Sequence, residues 1–363
     1  MTDEFMREAL RLARSGTGAT YPNPCVGAVV VRRGTIVGRG RSAATGGPHA
    51  EVQALRQAGE AARGATLHVT LEPCNHHGRT PPCVDAILAA GVARVEVALV
   101  DPAAHVAGKG VRRLRRHGVE VVLGVLADQA REVHAHYLHH VATRLPFVTL
   151  KLACSLDGRI ATASGDSKWI TGEPARRDAH RLRARHHGIA VGAATVLADD
   201  PRLDVRLVRG VDPLPIVFDP RLRVASAGRA FHLLRPGVIF LHGAAASRRA
   251  RAALARSGAE AIEIADAAED GAGGLAIPAA LERLGQRDLR SLMVEGGGRL
   301  SAAFVRAGAW QELWVYRAPM LLGGDARPAF GDLGLAAVAD APRLELLRRR
   351  TLGADELSVY RKS

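Results

Sequence analysis

The sequence predicts a two-domain protein of the α/β class. Strand-like and helical patterns alternate along its 363 residues, which favours helices packed on largely parallel sheets. A chain of this length can form two separate hydrophobic cores. The motifs change near Thr143–Pro146 and no internal repeat is visible. We therefore expect one domain over residues 1–145 and a different one over residues 146–363.

The composition is that of a globular chain, because 47% of the residues are hydrophobic and 24% are charged. No run of about 18 apolar residues is present, so we expect no membrane span. The first residues are acidic and lack the apolar core of a signal peptide. Four cysteines in so long a chain do not form a disulfide framework. These features favour a reducing, cytoplasmic location.

The net charge of +14 has two explanations. It can attract phosphorylated partners, including nucleic acid, or it can reflect a composition rich in Arg, Ala and Gly. The arginines are scattered, and aromatic residues make up only 4% of the chain, so surfaces for base stacking are scarce. We expect a small phosphorylated ligand and no nucleic-acid partner.

The first half begins with helical spacing over residues 3–15, followed by a hairpin that turns at Arg33-Gly34. A helix then starts near His49, a strand leads towards Cys74, and a second helix starts at Cys83. The predicted strands are Ala28–Val31, Thr35–Gly40, Ala65–Leu71, Arg94–Val100 and Val119–Leu123, and the later helices are Gly110–His117 and Asp128–Val141.

Two short segments of this half combine one imidazole, two thiols and a carboxylate. His49 and Glu51 lie in the first, and Cys74 and Cys83 lie in the second. Three nitrogen or sulfur ligands suit a catalytic Zn²⁺, whose fourth position stays open for water. The metal lowers the pKa of that water towards about 7, which makes hydroxide available at neutral pH. We predict that His49, Cys74 and Cys83 hold one zinc ion.

Glu51 lies two residues after His49, which is too close for it to serve easily as a fourth metal ligand. We therefore predict that Glu51 transfers protons during catalysis. A His-x-Glu followed by Pro-Cys and a second Cys is typical of zinc base deaminases. Here eight residues separate the two cysteines, whereas that pattern has two. Helix N-termini at the ligands would favour thiolates over thiols.

Other polar residues of the first half have plainer interpretations. His76 and His77 are loop or substrate-facing groups, because three ligands are already assigned. Histidines 134, 136, 139 and 140 fall on one predicted helix, and we expect them on its solvated face. Cys25 and Cys154 are more often small apolar fillers than reactive thiols.

The second half opens with a strand from Phe147 to Ala153 and contains a glycine turn, Gly296–Gly298, between the strand Ser291–Val294 and a helix start. Such a turn lets backbone N–H groups approach a pyrophosphate, although it is not a G-x-G-x-x-G fingerprint. Between them, strand-like segments stand out at Pro215–Phe218 and Val238–His242.

The insert His76–Cys83 closely resembles the bifunctional riboflavin-biosynthesis deaminase/reductase family, and the resemblance continues through residues 151–161, 167–171, 191–206 and 295–300. It implies an N-terminal three-layer α/β/α domain like cytidine deaminase and a C-terminal α/β domain like dihydrofolate reductase. It also implies Zn²⁺ in the first domain, NADPH in the second, and a homo-oligomer, either dimer or tetramer.

Site residues follow from the same resemblance, position by position. It implies cofactor contacts from Cys154, Trp169, Thr195, Asp199, Gly297, Gly298, Arg299, Leu300, Ser301, Ala302 and Ala303. It implies substrate contacts from Asn23, Ser167, Arg183, Leu203, Arg206 and Glu295. Arg183 and Arg206 can each grip a phosphate through a planar fork.

The implied chemistry has two steps on a phosphorylated pyrimidine. A diaminopyrimidinone ribosyl phosphate is deaminated, and NADPH then reduces the ribosyl group to a ribityl chain. Lys151 and Asp199 are our hypothetical proton-transfer groups for the second step, on motif position alone. Ser42 and the pair Ala103-Ala104 depart from the family pattern, where a His and Asn-Pro are usual.

Two other function classes remain open from the sequence. A nucleic-acid base deaminase would explain the His-x-Glu motif and the basic charge, but it leaves the second domain without a role. A non-catalytic pairing of two domains would explain the fold, but the intact His49, Glu51, Cys74 and Cys83 argue against it in the first half.

Overall fold

The computed structural model describes residues 2–267 and 274–362. Its chain divides into two compact units, Met1–Arg144 and Leu145–Ser363. Each unit has its own sheet and its own hydrophobic clusters.

The N-terminal unit alternates strands and helices, as expected for the α/β class. Its elements are α1 (Thr2–Gly16), β1 (Gly27–Arg32), β2 (Thr35–Arg41), α2 (Ala50–Ala58), a 3₁₀ turn (Gly59–Ala62), β3 (Thr66–Val69), α3 (Cys83–Ala89), β4 (Arg94–Val97), α4 (Lys109–Arg116), β5 (Glu120–Leu123), α5 (Ala127–Val133) and α6 (Ala135–Thr143).

The sheet of this unit has the order β2-β1-β3-β4-β5. Strand β1 pairs antiparallel with β2 and with β3, while β3–β4 and β4–β5 are parallel. The sheet is therefore mixed, and the prediction of a largely parallel sheet was wrong for its β1 end. A hairpin turn of two residues, Arg33-Gly34, joins β1 to β2, and so short a connection makes these strands antiparallel.

Helices cover both faces of this sheet. Val30 of β1 belongs to the cluster with α2, α3 and α4, whereas Val29 and Val31 belong to the cluster with α1 and α5. This alternation follows from the two-residue period of a strand. The unit is therefore a three-layer α/β/α sandwich.

Glycine in β2 lets α2 lie close to the sheet. A Cβ atom on Gly40 would lie 1.9 Å from the carbonyl oxygen of Ala50, the first residue of α2. Any larger side chain at this position would push the start of α2 away. Gly40 thereby fixes the position of His49, which precedes the helix.

The region predicted as one helix, Asp128–Val141, consists of two helices that meet at His134. The solvated-face prediction for its histidines was also wrong. His134 and His140 are buried, and His136 and His139 are half-buried. The Nε2 atom of His134 lies 3.1 Å from the Thr70 hydroxyl, and Nδ1 of His136 lies 2.7 Å from the Tyr21 hydroxyl. Their rings serve internal hydrogen bonds.

The C-terminal unit is also of the α/β class. Its elements are β6 (Phe147–Ser155), β7 (Arg159–Ala161), α7 (Glu173–Ala184), β8 (Gly188–Gly192), α8 (Ala193–Asp199), β9 (Leu214–Phe218), α9 (Arg223–Ser226), β10 (Ile239–His242), α10 (Arg248–Ser257), β11 (Glu260–Glu263), α11 (Ile277–Gly285), β12 (Ser291–Val294), α12 (Gly298–Arg306), β13 (Glu312–Ala318), β14 (Arg327–Pro328), a 3₁₀ turn (Val338–Asp340), β15 (Leu344–Leu352) and β16 (Asp355–Lys362).

Its large sheet has the order β11-β10-β9-β8-β12-β6-β13-β16-β15. The pairings from β11 to β13 are parallel, and β16 pairs antiparallel with β13 and β15. Strands β6 and β12 are neighbours, with Leu150 opposite Val294. The residues that follow, Lys151 and Glu295, are thereby brought side by side.

Candidate active sites

The three predicted ligands lie at the starts of two helices and in the loop after β3. His49 is the N-cap residue of α2, Cys83 is the first residue of α3, and Cys74 lies in the loop between β3 and α3. One ligand atom from each of the three residues can be chosen so that all lie within 4.8 Å of one another. The structure thus brings together the residues that the sequence singled out.

The imidazole faces both sulfurs through the same nitrogen. Nδ1 of His49 lies 3.1 Å from Sγ of Cys83 and 3.5 Å from Sγ of Cys74. The other ring nitrogen, Nε2, lies 3.3 Å from the Thr80 hydroxyl. A hydrogen bond at the far nitrogen fixes the ring orientation of a metal-binding histidine. The sequence analysis did not select Thr80, although this residue lies in the insert His76–Cys83 that carries the family resemblance.

The surroundings of the two sulfurs favour a thiolate. The backbone N–H of Cys83 donates to Sγ of Cys74 at 3.3 Å. Hydrogen bonds from Cys83 and His49 lower the pKa of Cys74 to about 4, against the opposing effect of burial. The pKa of Cys83 is raised by its hydrogen bond to Cys74, by burial and by the nearby charges of Cys74 and Glu51. A divalent cation is the group that lets both sulfurs ionise.

Glu51 lies beside this cluster in the first turn of α2 and is only 3% exposed. Burial raises the pKa of its carboxyl group to about 7, and the negative charge of Cys74 adds to this effect. A carboxyl group with a pKa near the working pH can both accept and donate a proton. The donor set and the adjacent acid fit a catalytic zinc ion.

Asn23 lies in the turn before β1. Its backbone N–H donates to the carbonyl oxygen of Thr20, and its own carbonyl accepts from the Thr20 hydroxyl. These bonds hold the turn and assign no partner to the side-chain amide, so the pyrimidine contact stays a prediction.

The C-terminal unit contains a cavity of about 720 Å³, which is within the usual size range of ligand pockets. Its wall includes ten of the residues singled out from the sequence: Lys151, Ser167, Trp169, Arg183, Thr195, Asp199, Leu203, Arg206, Glu295 and Gly297. They come from β6, α7, α8, the loops that follow β7 and α8, and the turn before α12.

Three charged side chains meet in the cavity wall. One carboxylate oxygen of Glu295 accepts from Nζ of Lys151 at 2.8 Å, and the other accepts from Nε of Arg183 at 2.8 Å. The three side chains are 11–17% exposed. Burial alone would raise the pKa of Glu295, but the charges of Arg183 and Lys151 lower it well below its usual range. We call these residues the charged cluster.

The remaining predicted cofactor residues lie outside this wall. Cys154 is buried in the hydrophobic core of the unit, among apolar neighbours. Gly298 lies against the end of β14, because a Cβ atom there would be 2.8 Å from the carbonyl oxygen of Pro328. Within α12, Ser301 and Ala302 are buried, Leu300 and Ala303 are half-buried, and Arg299 is exposed. Their cofactor contacts stay predictions.

The wall also contains residues that the sequence gave no reason to select. His180 is buried on α7, and its Nδ1 accepts from the backbone N–H of Arg206 at 3.3 Å. Burial, together with the charges of Arg183 and Arg206, lowers the pKa of His180 to about 4, so the ring is neutral at pH 7. Arg176 stacks on the Trp169 ring at 4.7 Å from its centroid. The one sequence signal for these residues is the helical spacing of positions 176, 180 and 183, which places them on the same face of α7.

The glycine turn is compatible with a dinucleotide. Gly297 lines the cavity, and a Cβ atom there would meet only the Thr195 hydroxyl at 3.7 Å. It is the N-cap of α12, whose first N–H groups have no partner within the helix. A phosphate can therefore approach the backbone closely at this point.

Comparisons with known proteins cover both units. A family model described as "Cytidine and deoxycytidylate deaminase zinc-binding region" matches residues 1–99. Another, described as "RibD C-terminal domain", matches residues 146–357. No helix in the described ranges, 2–267 and 274–362, is both long and apolar enough to cross a membrane.

Individual relatives match along the whole chain. Riboflavin biosynthesis protein RibD of Escherichia coli K12 is 42% identical over 374 residues, covering 98% of each chain. RibD of Bacillus amyloliquefaciens is also 42% identical, covering 98% of this chain and 95% of its own. A solved structure of Acinetobacter baumannii RibD is 38% identical with a TM-score of 0.86, covering 99% of this chain and 98% of the other.

A second solved structure names two activities. It is a diaminohydroxyphosphoribosylaminopyrimidine deaminase/5-amino-6-(5-phosphoribosylamino)uracil reductase from Thermotoga maritima. This chain is 32% identical to it with a TM-score of 0.84, and the match covers 99% and 98% of the two chains.

Proposed function

Because this chain belongs to the RibD family of riboflavin-biosynthesis proteins, we propose a specific division of labour among its residues. The chain is a bifunctional enzyme that pairs a zinc-dependent deaminase with an NADPH-dependent reductase, as the sequence resemblance implied. Its fold, a cytidine-deaminase-like domain followed by a reductase domain like dihydrofolate reductase, is confirmed as well. We assign the deaminase to residues 1–145 and the reductase to residues 146–363.

In the deaminase, His49, Cys74 and Cys83 hold the zinc ion. Bound there, Zn²⁺ would supply a water activated for attack on the ring carbon that carries the 2-amino group of the diaminopyrimidine ribosyl phosphate. Glu51 takes one proton from the water and passes it to the ring nitrogen. It later carries the hydroxyl proton of the hydrated ring carbon to the departing amino group, which leaves as ammonia. The observation that carries this proposal is the close approach of the three ligand atoms beside the buried Glu51.

In the reductase, NADPH and the deaminated substrate share the 720 Å³ cavity. NADPH supplies the hydride for the former anomeric carbon of the ribose. Trp169, Thr195, Asp199 and Gly297 line the cofactor from the cavity wall. The run 298–303 and Cys154 complete the set of cofactor residues that the resemblance implies. Ser167 and Leu203 contact the substrate beside the charged cluster.

The two arginines of the substrate set have different roles in this proposal. Arg183 is 12% exposed and already bonds Glu295 and the carbonyl oxygen of Asp204. Arg206 is 48% exposed, and among the residues that the structure describes its guanidinium bonds only the side chain of Asp204. We therefore assign the substrate phosphate to Arg206 and the orientation of Glu295 to Arg183. Glu295 in turn accepts from ribose hydroxyls.

Ring opening of the ribose requires a proton transfer group. Lys151 is the better of our two candidates, because its ammonium lies in the cavity wall against Glu295. Asp199 ends α8 at the same cavity and is the second. If Lys151→Ala and Asp199→Ala both reduce substrate at the parental rate, neither residue has this role.

One incubation tests the division of labour. The zinc-loaded chain is supplied with the diaminopyrimidine ribosyl phosphate, with and without NADPH, while ammonia and NADPH are followed separately. We expect ammonia in both cases and NADPH consumption only after deamination. Cys74→Ser should lose zinc and ammonia release together, and undiminished zinc content in that variant would contradict the ligand set.

The same family membership bears on partners. The substrate is a small molecule, and a full-length RibD match leaves no unrelated second domain for a nucleic-acid deaminase. For oligomerisation, strand β15 is an exposed sheet edge that carries half-exposed leucines at 344, 346 and 347. Pairing of two such edges would give a dimer, and a further interface between two dimers would give a tetramer. A cytoplasmic location suits the four free cysteines.

A further inference from the structure

Helix α4 contacts both of the segments that carry the cysteine ligands, although it supplies no ligand itself. Its inward side chains, Val111 and Leu114, belong to the hydrophobic cluster of the N-terminal unit. Its polar contacts lead instead to residues 72–75 and 85, which flank Cys74 and follow Cys83. The proposed deaminase mechanism gives these contacts no role.

The first contact is made by Glu72, two residues before Cys74. Its carboxylate is 5% exposed and accepts four backbone N–H groups. Oε1 accepts from Gly110 at 2.9 Å and Val111 at 3.2 Å, and Oε2 accepts from Gly108 at 2.9 Å and Asp101 at 3.2 Å. Glu72 thus caps the N-terminus of α4 from a neighbouring loop, where the helix dipole also favours a negative charge.

The backbones approach each other closely at the same point. A Cβ atom on Gly110 would lie 2.1 Å from the carbonyl oxygen of Pro73, the residue immediately before Cys74. Only glycine at this position allows the helix to lie against the ligand loop. The path of the chain into Cys74 is therefore fixed from one side by α4.

The second contact is made by Arg113, one turn further along α4. Its guanidinium donates through one Nη atom to Oδ1 of Asn75 at 2.8 Å and through the other to Oδ1 of Asp85 at 2.5 Å. Asn75 follows Cys74 directly, and Asp85 lies two residues after Cys83. One planar group with fixed geometry therefore links the two cysteine segments.

We propose that α4 is a brace for the zinc site, with Arg113 and Glu72 as positioning residues that set the distance between Cys74 and Cys83. The inference rests on the proposed zinc site and concerns how firmly the metal is held. Groups that orient metal ligands typically change metal affinity by 10- to 100-fold when they are removed. Because Arg113 is 34% exposed, we place its effect at the lower end of that range.

The test is the rate at which the full-length, zinc-loaded chain releases zinc to a colorimetric chelator. Arg113→Ala should release zinc about 10-fold faster than the parent. Asn75→Ala removes one arm of the link and should give an intermediate rate. Adding Arg113→Ala to the pair Asn75→Ala, Asp85→Ala should then produce little further change, because both acceptors are already absent.

Arg94→Ala is the matched control. Arg94 is also 34% exposed and also contacts two side chains, those of Glu96 and Glu120. It lies at the start of β4, opposite Thr66 at the start of β3, whereas Cys74 follows the far end of β3. Its loss should lower the stability of the unit and leave the zinc release rate unchanged. NADPH consumption by the reductase, measured on the same samples, reports the integrity of the other unit.

The outcomes separate the brace from the zinc site itself. A parent that binds no zinc would overturn the proposed function. If the parent holds zinc and Arg113→Ala releases it at the parental rate, or if Arg94→Ala accelerates release equally, the brace is wrong. Glu72→Gln supplies an independent arm, because it replaces one acceptor oxygen with a donor. Faster release from that variant supports the brace, and an unchanged rate counts against it.

Discussion

The proposed metal site of the N-terminal unit has its candidate ligands between residues 49 and 83, whereas the charged cluster of the C-terminal unit joins residues up to 144 positions apart. The ligands stand on a loop and on two helix starts that follow one another in sequence. Lys151 and Glu295 meet because β6 and β12, distant in sequence, are neighbours in the sheet. The proposed metal site is therefore built from elements that are close in sequence. The charged cluster is built by the order of the strands in the sheet.

The two sites also differ in how their charges balance. The metal site gathers two sulfurs and a carboxyl group, and these cannot all ionise without a cation. The charged cluster contains its own counter-ions, since two cations face one carboxylate and leave a net charge of +1. The first site therefore suits a divalent metal, and the second suits an anionic ligand such as a phosphorylated substrate.

The largest expected effect separates the two sites. Glu51→Gln should lower the rate of ammonia release by about 10²- to 10⁴-fold, because the amide cannot carry protons. Zinc content and NADPH consumption, measured on an already deaminated substrate, should stay at parental values. Glu60→Gln is the control. Glu60 is exposed in the 3₁₀ turn that follows α2, and its substitution should leave the rate of ammonia release unchanged. Parental ammonia release from Glu51→Gln would remove the proton-transfer role.

Breaking the charged cluster should affect both stability and reduction. Glu295→Gln leaves Lys151 and Arg183 facing a neutral amide, and we expect a loss of about 3 kcal/mol in unfolding free energy. Glu345→Gln removes the exposed ion pair with Arg361 and should cost at most about 1 kcal/mol. Urea unfolding of the full chain, followed by probes in each unit, measures both. Equal losses would mean that the cluster is no more than a surface pair.

The stability contributed by Glu295 should depend on pH. Burial would raise its pKa, but Arg183 and Lys151 lower it well below the unfolded value of about 4.3. A lowered folded-state pKa gives stability that is complete above the unfolded pKa and is lost as the pH falls towards the folded one. The difference in unfolding free energy between the parent and Glu295→Gln should therefore be constant from pH 6 to 8 and narrow below about pH 4. A difference that widens in acid would contradict the ion-pair account.

The same contrast explains what the sequence could predict. His49, Glu51, Cys74 and Cys83 lie in two short segments that follow a His-x-Glu and Pro-Cys pattern, so the sequence could single them out, and the structure places one atom from each of the three candidate ligands within 4.8 Å of the others. The link from Arg113 to Asn75 and Asp85 spans 38 and 28 residues and has no local pattern. Likewise, the sequence offered Arg183 and Glu295 as separate substrate contacts, whereas the structure joins them across 112 residues.

The fold shows where local patterns fail. Alternating strands and helices predicted the α/β class, and the strand Ser291–Val294 was predicted with its observed bounds. The histidines near residue 134 were misassigned because polar spacing on a helix does not show whether a neighbour such as Thr70 will cover it. The antiparallel edge of the first sheet follows from the two-residue hairpin, a signal that was noted but not carried through to the pairing.

The smallest expected effect concerns the rim of the C-terminal cavity. Trp169 is 64% exposed, lines the cavity and is stacked by Arg176. If the indole lies against NADPH, Trp169→Ala should weaken NADPH binding about 5-fold, equivalent to roughly 1 kcal/mol. Arg176→Ala should weaken it only about 2- to 3-fold, because the ring remains but is no longer held. Fluorescence titration of the full chain with NADPH measures both.

A second arginine–tryptophan contact in the same unit provides the control. Arg348 stacks on Trp314 at 5.2 Å, and neither residue lines the cavity. Arg348→Ala should therefore leave NADPH affinity unchanged. If Trp169→Ala instead raises the KM for the phosphorylated substrate and spares NADPH, the indole belongs to the substrate end of the cavity. The charged cluster and Trp169 would then serve the same ligand, and the cofactor would be held chiefly by the turn at Gly297.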